Sequence, residues 1–264
     1  MPHLLVPARQ NAEGVLHDIT PQSAGWTYVG FSTRKLAAGA SFSLGEPARE
    51  TCLVVLSGRV RVEAEGLGTH AIGERADVFS GLPWSVYLPP RLNARVTAEG
   101  EVEVAVCTAP AQGRLPPRVI SPAEVETAER GKGTNLRHIR NILSETAQAE
   151  SLLVVEVITP SGHWSSYPPH KHDQDNLPHE SLLEETYYHR LKPPQGYGVQ
   201  RVYTDDRSLD ETMTVTDRDV VLVPGGYHPC AAAHGYDLYY LNVMAGPQRV
   251  WRFHNDPAHE WLMG

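Results

Sequence analysis

The chain has 264 residues, of which 41% are hydrophobic and 20% are charged, so it can bury the core of one large or two ordinary globular domains. Its formal net charge of −8 argues against nucleic acid and anionic membrane surfaces as main partners. No apolar run approaches the roughly 18 residues that a membrane-spanning helix needs, and residues 1–7 lack the features of a signal peptide.

Residues 1–115 are predicted to form an N-terminal domain of short β-strands. Apolar or alternating runs recur at close spacing and are separated by turns rich in glycine and proline. This pattern is typical of a β-sandwich or a β-barrel. The predicted strands are 52–56, 59–63, 77–79, 84–88, 94–97 and 102–107.

Residues 116–150 have a different character, and we interpret them as a connector. Ser121-Pro122 has the pattern of a helix cap followed by proline at the first helical position. The charged stretch 124–132 follows this cap.

The β pattern returns in residues 151–264, which are predicted to form a second domain. Both halves follow one plan, in which a strand enters a glycine-bounded turn, a Leu-Pro or Val-Pro segment follows, and a pair of strands ends the half. Leu88-Pro89 and Val223-Pro224 hold equivalent places in this plan. The predicted strands are 152–158, 185–191, 197–203, 213–215, 219–223 and 238–244.

The three cysteines are odd in number, widely separated and set among apolar or small residues: Cys52, Cys107 and Cys230. These properties are typical of buried thiols in a reducing compartment. We therefore expect a cytoplasmic protein.

The two halves differ in the chemistry of their side chains. His170 and His172 would project to one face of an extended segment, because side chains alternate along a strand. A carboxylate on the next strand and a third imidazole, His228, could complete a ligand set for a divalent transition metal. The alternative is that these histidines are solvated loop residues. The first half has no histidine at 44–47 or 89–93, so we expect it to lack a metal site and to serve as a scaffold or dimer surface in a homo-oligomer.

The segment from Gly162 to about Asn242 resembles the cupin pattern. It contains a glycine, a His-x-His pair, a glutamate at the start of a strand and a later Pro…His. The spacing departs from the usual one, because twelve residues separate His172 from Glu185. The segments 167–173, 178–190 and 223–229 resemble the 5-deoxy-glucuronate isomerase family of myo-inositol catabolism more specifically. So do residues 25–29 and 239–246, and the resemblance extends over essentially the whole chain.

The resemblance implies an all-β bicupin fold, with two β-barrel or jelly-roll cupin domains in one chain, and a relationship to the 5-keto-4-deoxyuronate isomerases of pectin breakdown. It implies aldose–ketose isomerisation of 5-deoxy-D-glucuronate, a small deoxy-uronate, to 5-dehydro-2-deoxy-D-gluconate. The metal ligands carried over are His170, His172, Glu185 and His228. They would hold one divalent ion, for which zinc or manganese is favoured over iron or nickel.

The choice between Glu184 and Glu185 depends on which strand face enters the barrel. Glu185 is favoured because an aromatic residue stands at its third following position, as in the cupin pattern. Glu185 would also share its face with Tyr187 and His189. These two residues are therefore candidates for catalysis, and the alternative is that they are packing residues.

Other candidates follow from the ketol chemistry, which needs a base and a cation for the substrate carboxylate. Asp173 is a candidate base or a partner that holds an imidazole. Arg201 is the preferred cation, with Arg190 and Lys192 as alternatives. Lys171 should point away from its neighbouring histidines and is expected at the surface.

Two other functions use the same residues. A metal-dependent cupin dioxygenase would consume oxygen, which an isomerase would not. A non-catalytic sugar-binding cupin would tolerate the loss of the metal ligands, whereas this chain retains all four candidates.

Overall fold

The computed structural model describes residues 3–263, and these form β-strands with few and short helices. Within that range no helix is long and apolar enough to cross a membrane. The one α-helix of the described residues, α1, is Pro21–Ala24. Short 3-10 helices are Pro122–Glu124, Gly133–Asn135 and Pro257–Met263.

Among the described residues, eleven strands precede residue 121: β1 Leu5–Val6, β2 Val15–Ile19, β3 Gly30–Leu36, β4 Ser41–Leu44, β5 Arg49–Ser57, β6 Val60–Ala64, β7 Gly68–Ile72, β8 Ser85–Leu88, β9 Ala94–Ala98, β10 Val102–Pro110 and β11 Arg118–Ile120. The remaining strands are β12 Glu126–Arg130, β13 Arg137–Leu143, β14 Leu153–Thr159, β15 Trp164–Ser165, β16 His170–Lys171, β17 Asp173–Asn176, β18 Glu180–Leu182, β19 Glu184–Lys192, β20 Gly198–Tyr203, β21 Asp210–Val215, β22 Val220–Val223, β23 Cys230–Ala232, β24 Asp237–Ala245 and β25 His254–Asn255.

Two of the predicted elements are wrong. Residues 77–79 form a turn and not a strand, because the Asp77 carboxylate accepts the Phe79 N–H at 2.8 Å and closes the chain locally. The helix predicted at Ser121-Pro122 is a single 3-10 turn, although its cap forms and the Glu124 carboxylate accepts the Ser121 N–H at 2.8 Å. The chain then continues as the exposed edge strand β12, whose charged side chains suit an edge.

The chain divides into two compact units whose limits differ from the predicted 1–115, 116–150 and 151–264. The N-terminal unit contains residues 8–126 and 141–154, and the C-terminal unit contains 3–7, 127–140 and 155–263. Residues 116–150 are thus shared between the units and do not form a separate connector.

The N-terminal unit is a sandwich of two sheets around an apolar core. The strand orders are β11-β8-β5-β10-β3-β2 and β4-β9-β6-β7. Leu and Val side chains of both sheets fill the space between them, for example Leu53 and Val104 from one sheet and Val62 and Val96 from the other.

Glu50 explains why residues 150–152 belong to the N-terminal unit. Its carboxylate is fully buried and accepts the Tyr87 hydroxyl at 2.7 Å. It also accepts the main-chain N–H groups of Glu150 at 2.8 Å and of Ser151 and Leu152 at 2.6 Å each. A buried carboxylate needs such donors, because leaving it unpaired would cost several kcal/mol.

The C-terminal unit contains a seven-stranded sheet, β1-β22-β19-β24-β14-β13-β12, and a four-stranded sheet, β15-β23-β20-β21. Two ribbons, β16-β25 and β17-β18, complete the unit. Polar side chains link its two large sheets, with His189 bonded to Gln200 at 2.8 Å and Ser165 to Tyr240 at 2.6 Å. The polar interior of this unit contains the candidate site.

Candidate metal centre

Three buried side chains of the C-terminal unit converge on one point. The nitrogen of His172, a carboxylate oxygen of Glu185 and the nitrogen of His228 lie within 4.8 Å of one another. The Glu185 Oε2 atom is 3.2 Å from His172 Nε2 and 3.2 Å from His228 Nε2. None of the three side chains is more than 2% exposed.

Sheet register brings these residues together from separate parts of the chain. His172 lies between the ribbon strands β16 and β17, and Glu185 is the second residue of β19. Glu185 pairs with Val223, the last residue of β22, so the loop that carries His228 begins beside the carboxylate.

The main chain fixes the orientation of both imidazoles in this cluster. His172 Nδ1 lies 3.0 Å from the carbonyl oxygen of Leu183, and His228 Nδ1 lies 2.8 Å from that of Gly226. A carbonyl only accepts, so each Nδ1 donates its proton there, and the Nε2 atom of the neutral His228 ring directs a lone pair toward Glu185. His228 Nε2 is buried and has no hydrogen-bond donor facing it within the described residues.

This arrangement fits a bound cation. Burial lowers the pKa of His228 to about 3, so its ring is neutral. Burial also disfavours the charged form of His172, but the hydrogen bond and charge of Glu185 outweigh it and raise that pKa. Two imidazole nitrogens and a carboxylate, with the second ring nitrogens bonded to carbonyls, are the common setting of a divalent metal.

His170 lies beside this cluster. Its ring centroid is 5.0 Å from that of His228 and 6.4 Å from that of His172. Burial, together with the charges of His172 and Arg137, lowers the pKa of His170 to about 3 and keeps it neutral. The structure thus brings three of the four predicted ligands together and places the fourth in ring contact with them; metal binding by all four stays a prediction.

The face of β19 that carries Glu185 also carries Tyr187 and His189, as expected from strand alternation. Glu185 and not Glu184 belongs to the cluster of described residues. The Tyr187 ring lies 5.7 Å from His228 and stacks on His189 at 5.9 Å between centroids. His189 Nε2 bonds to the Gln200 Oε1 at 2.8 Å, while its buried Nδ1 has no partner within the described residues.

Asp173 is held by groups other than the imidazoles. Its carboxylate accepts Lys171 Nζ at 2.7 Å and the Gly226 N–H at 2.8 Å. Burial alone would raise the pKa of Asp173, but these two partners outweigh it and lower the pKa. Asp173 therefore fixes the loop that carries His228, and among the described residues it does not hold an imidazole directly, contrary to the second of the two expectations for it.

Lys171 is buried, which contradicts the surface position expected from the sequence. Its side chain is 2% exposed and pairs with Asp173 at 2.7 Å, Glu180 at 3.3 Å and Asp205 at 3.4 Å. The side chain does point away from the neighbouring histidines, as strand alternation requires. A group of carboxylates occupies that side instead of solvent.

The structure does not bring Arg201 to the cluster. Its side chain is 41% exposed and forms two hydrogen bonds of 2.7 Å with Asp210. Arg190, an alternative cation, pairs with Asp217 at 2.8 Å. A pair of arginines that sequence reasoning missed, Arg130 and Arg137, instead lines a cavity that His170 also lines. They lie in the stretch interpreted as a connector, where no strands were predicted, so no signal in the sequence placed them beside the site.

Comparison with known proteins gives a consistent picture over the whole length. The KduI/IolB family matches residues 4–262. A protein of Geobacillus kaustophilus named 5-deoxy-glucuronate isomerase is 55% identical over 265 residues, covering 100% of this chain and 96% of the relative. A protein of Bacillus subtilis strain 168 with the same name is 49% identical over 255 residues, covering 96% and 94%.

Solved structures show a similar fold. An IolB-like protein of Salmonella typhimurium LT2 superposes with a TM-score of 0.97 and 52% identity, covering 99% of this chain and 100% of that one. An oxalate decarboxylase of Bacillus subtilis superposes with a TM-score of 0.66 at 13% identity, covering 97% and 80%, which is a likeness of fold alone. The all-β bicupin fold expected from the sequence is confirmed.

Proposed function

This chain belongs to the KduI/IolB family and is an isomerase, and we propose that it converts 5-deoxy-D-glucuronate to 5-dehydro-2-deoxy-D-gluconate with the help of one divalent metal. The observation that supports the metal dependence is the buried Nε2 of His228, which faces the Glu185 carboxylate at 3.2 Å and has no hydrogen-bond partner among the described residues. The full-length likeness to proteins named 5-deoxy-glucuronate isomerase supports the substrate.

The residues that would hold the metal are His172, Glu185 and His228, joined by His170. The three imidazoles and one carboxylate accept zinc or manganese, and also iron or nickel. When bound, such an ion supplies Lewis-acid stabilisation of the negative charge that develops on the substrate oxygens during ketol isomerisation.

The protein's own side chains would orient the substrate and move its proton from the second carbon to the aldehyde carbon. Tyr187 is a candidate acid–base residue whose ring contacts His228 of the cluster, and its hydroxyl shares a 2.8 Å hydrogen bond with Ser166. Burial raises the pKa of Tyr187 well above its ordinary value, so Tyr187 would act as a proton donor to a substrate oxygen. His189, stacked on Tyr187 and held by Gln200, would position it.

Asp173 is proposed as a positioning residue for the His228 loop and Arg201 is no longer favoured as the cation for the substrate. The buried state of the three free cysteines supports a reducing, cytoplasmic setting. Assembly into a homo-oligomer stays a prediction, to be tested by light scattering.

Activity with and without metal tests the proposal. The purified protein should isomerise 5-deoxy-D-glucuronate without oxygen or nicotinamide, should lose this activity on chelation, and should regain it with zinc or manganese. Oxygen consumption would instead support a cupin dioxygenase. Sugar binding without turnover by the metal-loaded protein would support a binding protein.

A further inference from the structure

A cavity of about 520 Å³ in the C-terminal unit opens beside the metal cluster. His170 lines this cavity and also lies in ring contact with His228, so a small molecule in the cavity is adjacent to the candidate ligands. Its volume falls in the range of small-molecule sites.

The charge of this cavity is positive. Arg130, Lys132 and Arg137 line it, and no carboxylate side chain does so among the described residues. Arg130 ends β12 and Arg137 begins β13, its neighbour in the sheet, so the two guanidinium groups stand at the same end of a strand pair. Arg130 lies on the exposed strand β12, and its partial desolvation together with the charge of Arg137 lowers its pKa, as expected for cations that lack a neutralising anion.

The guanidinium groups keep donors available. Arg137 is anchored by one nitrogen, which donates to the carbonyl oxygens of Asn135 at 3.1 Å and Tyr167 at 3.2 Å. Arg130 lies over the Trp251 ring at 5.4 Å. Neither arginine pairs with a carboxylate in the part of the chain that the structure describes, whereas Arg190 and Arg201 both do.

We propose that Arg130 and Arg137 form the subsite that binds the substrate carboxylate and so select uronates over neutral sugars. This inference rests on the proposed function, because an aldehyde end at the metal cluster leaves the carboxylate at the opposite end of the substrate. A guanidinium presents its donors in a planar fork that matches a carboxylate. Two such groups on one wall also favour a carboxylate over the uncharged hydroxymethyl group of a neutral sugar.

The test compares two substrates in matched variants. The first substrate is 5-deoxy-D-glucuronate, and the second is 5-deoxy-D-glucose, in which a hydroxymethyl group replaces the carboxylate. Arg137→Gln and Arg130→Gln should each lower kcat/KM for the uronate at least tenfold, mainly through KM. Both should leave kcat/KM for the neutral sugar and the metal content unchanged. Arg130→Gln is the safer variant, because Arg130 makes no hydrogen bond that holds the fold within the described residues.

Arg201→Gln is the control, because it removes an arginine of the same unit that is already paired with Asp210. It should leave the preference for the uronate intact. If the wild type isomerises the uronate but both cavity variants keep its full preference over the neutral sugar, the carboxylate subsite is wrong and the proposed function stands. If the metal-loaded wild type isomerises neither substrate, the proposed function itself fails.

Discussion

Replacing Lys171 with methionine should lower the free energy of unfolding far more than the surface position expected from the sequence would imply. The ammonium group is buried between the carboxylates of Asp173 and Glu180, and it also reaches the exposed carboxylate of Asp205. Methionine has a similar length and keeps the apolar contacts. Methionine leaves the carboxylates of Asp173 and Glu180 close together without a cation between them. The two residues stay close because the Asp173 N–H donates to the Glu180 carboxylate at 2.8 Å.

The expected magnitude follows from burial. Removing one partner of a buried ion pair costs about 3–5 kcal/mol, because the remaining charge stays desolvated. Removing one partner of an exposed pair costs less than about 1 kcal/mol. Asp205, whose side chain is 62% exposed, provides the matched control as Asp205→Asn. The total stability of a domain is only ~5–15 kcal/mol, so Lys171→Met should remain folded but become marginal.

Urea denaturation in the presence of a chelator measures this effect without the contribution of metal binding. The midpoint of Lys171→Met should fall strongly while the slope of the transition stays constant, and that of Asp205→Asn should barely move. Equal midpoints for the two variants would refute the reasoning, because they would show that the Lys171 ammonium is solvated in solution.

Further predictions concern the metal cluster, the proton transfer and acid stability. His172→Ala and His228→Ala should each lose the bound metal, measured by elemental analysis, and nearly all isomerase activity, while circular dichroism shows an intact fold. Glu185→Gln should weaken metal binding more than Glu184→Gln, and the reverse order would contradict the strand register. Isomerisation in deuterated water should place deuterium at the carbon that began as the aldehyde, detected by NMR; unlabelled product would indicate a hydride shift. Burial would raise the pKa of Glu150, but three backbone N–H groups outweigh it and lower that pKa. Glu150 should therefore stabilise the protein at pH values above its unfolded pKa of about 4.3, and this contribution should vanish as the pH falls through the folded pKa. The urea midpoints of wild type and Glu150→Gln should accordingly differ at neutral pH and converge in acid.

The strands were predictable where local pattern decides them. Alternating or continuous apolar runs bounded by glycine and proline located β5, β10, β19 and β24 to within a few residues. Alternation also selected Glu185 over Glu184, because side chains two residues apart on a strand must share a face. These inferences need only the geometry of one extended segment.

The partners across the sheets were not predictable in this way. Alternation predicts that the Lys171 side chain points away from its neighbouring histidines, but only the arrival of Glu180 and Asp205 makes that side a buried carboxylate group. Likewise Arg130 and Arg137 read as part of a charged connector until β12 joins the sheet beside β13 and the two arginines face one cavity.

The sequence by itself therefore determined the all-β class and the strand faces, because these depend on the order of residues along single strands, and its motifs identified the candidate ligands through their resemblance to a known family. The tertiary structure decided the limits of the two units, the roles of Asp173 and Lys171, and which cations face the cavity. Those features depend on contacts between residues far apart in the chain, and the free energy of such contacts is set by burial and by the partner that each charge meets.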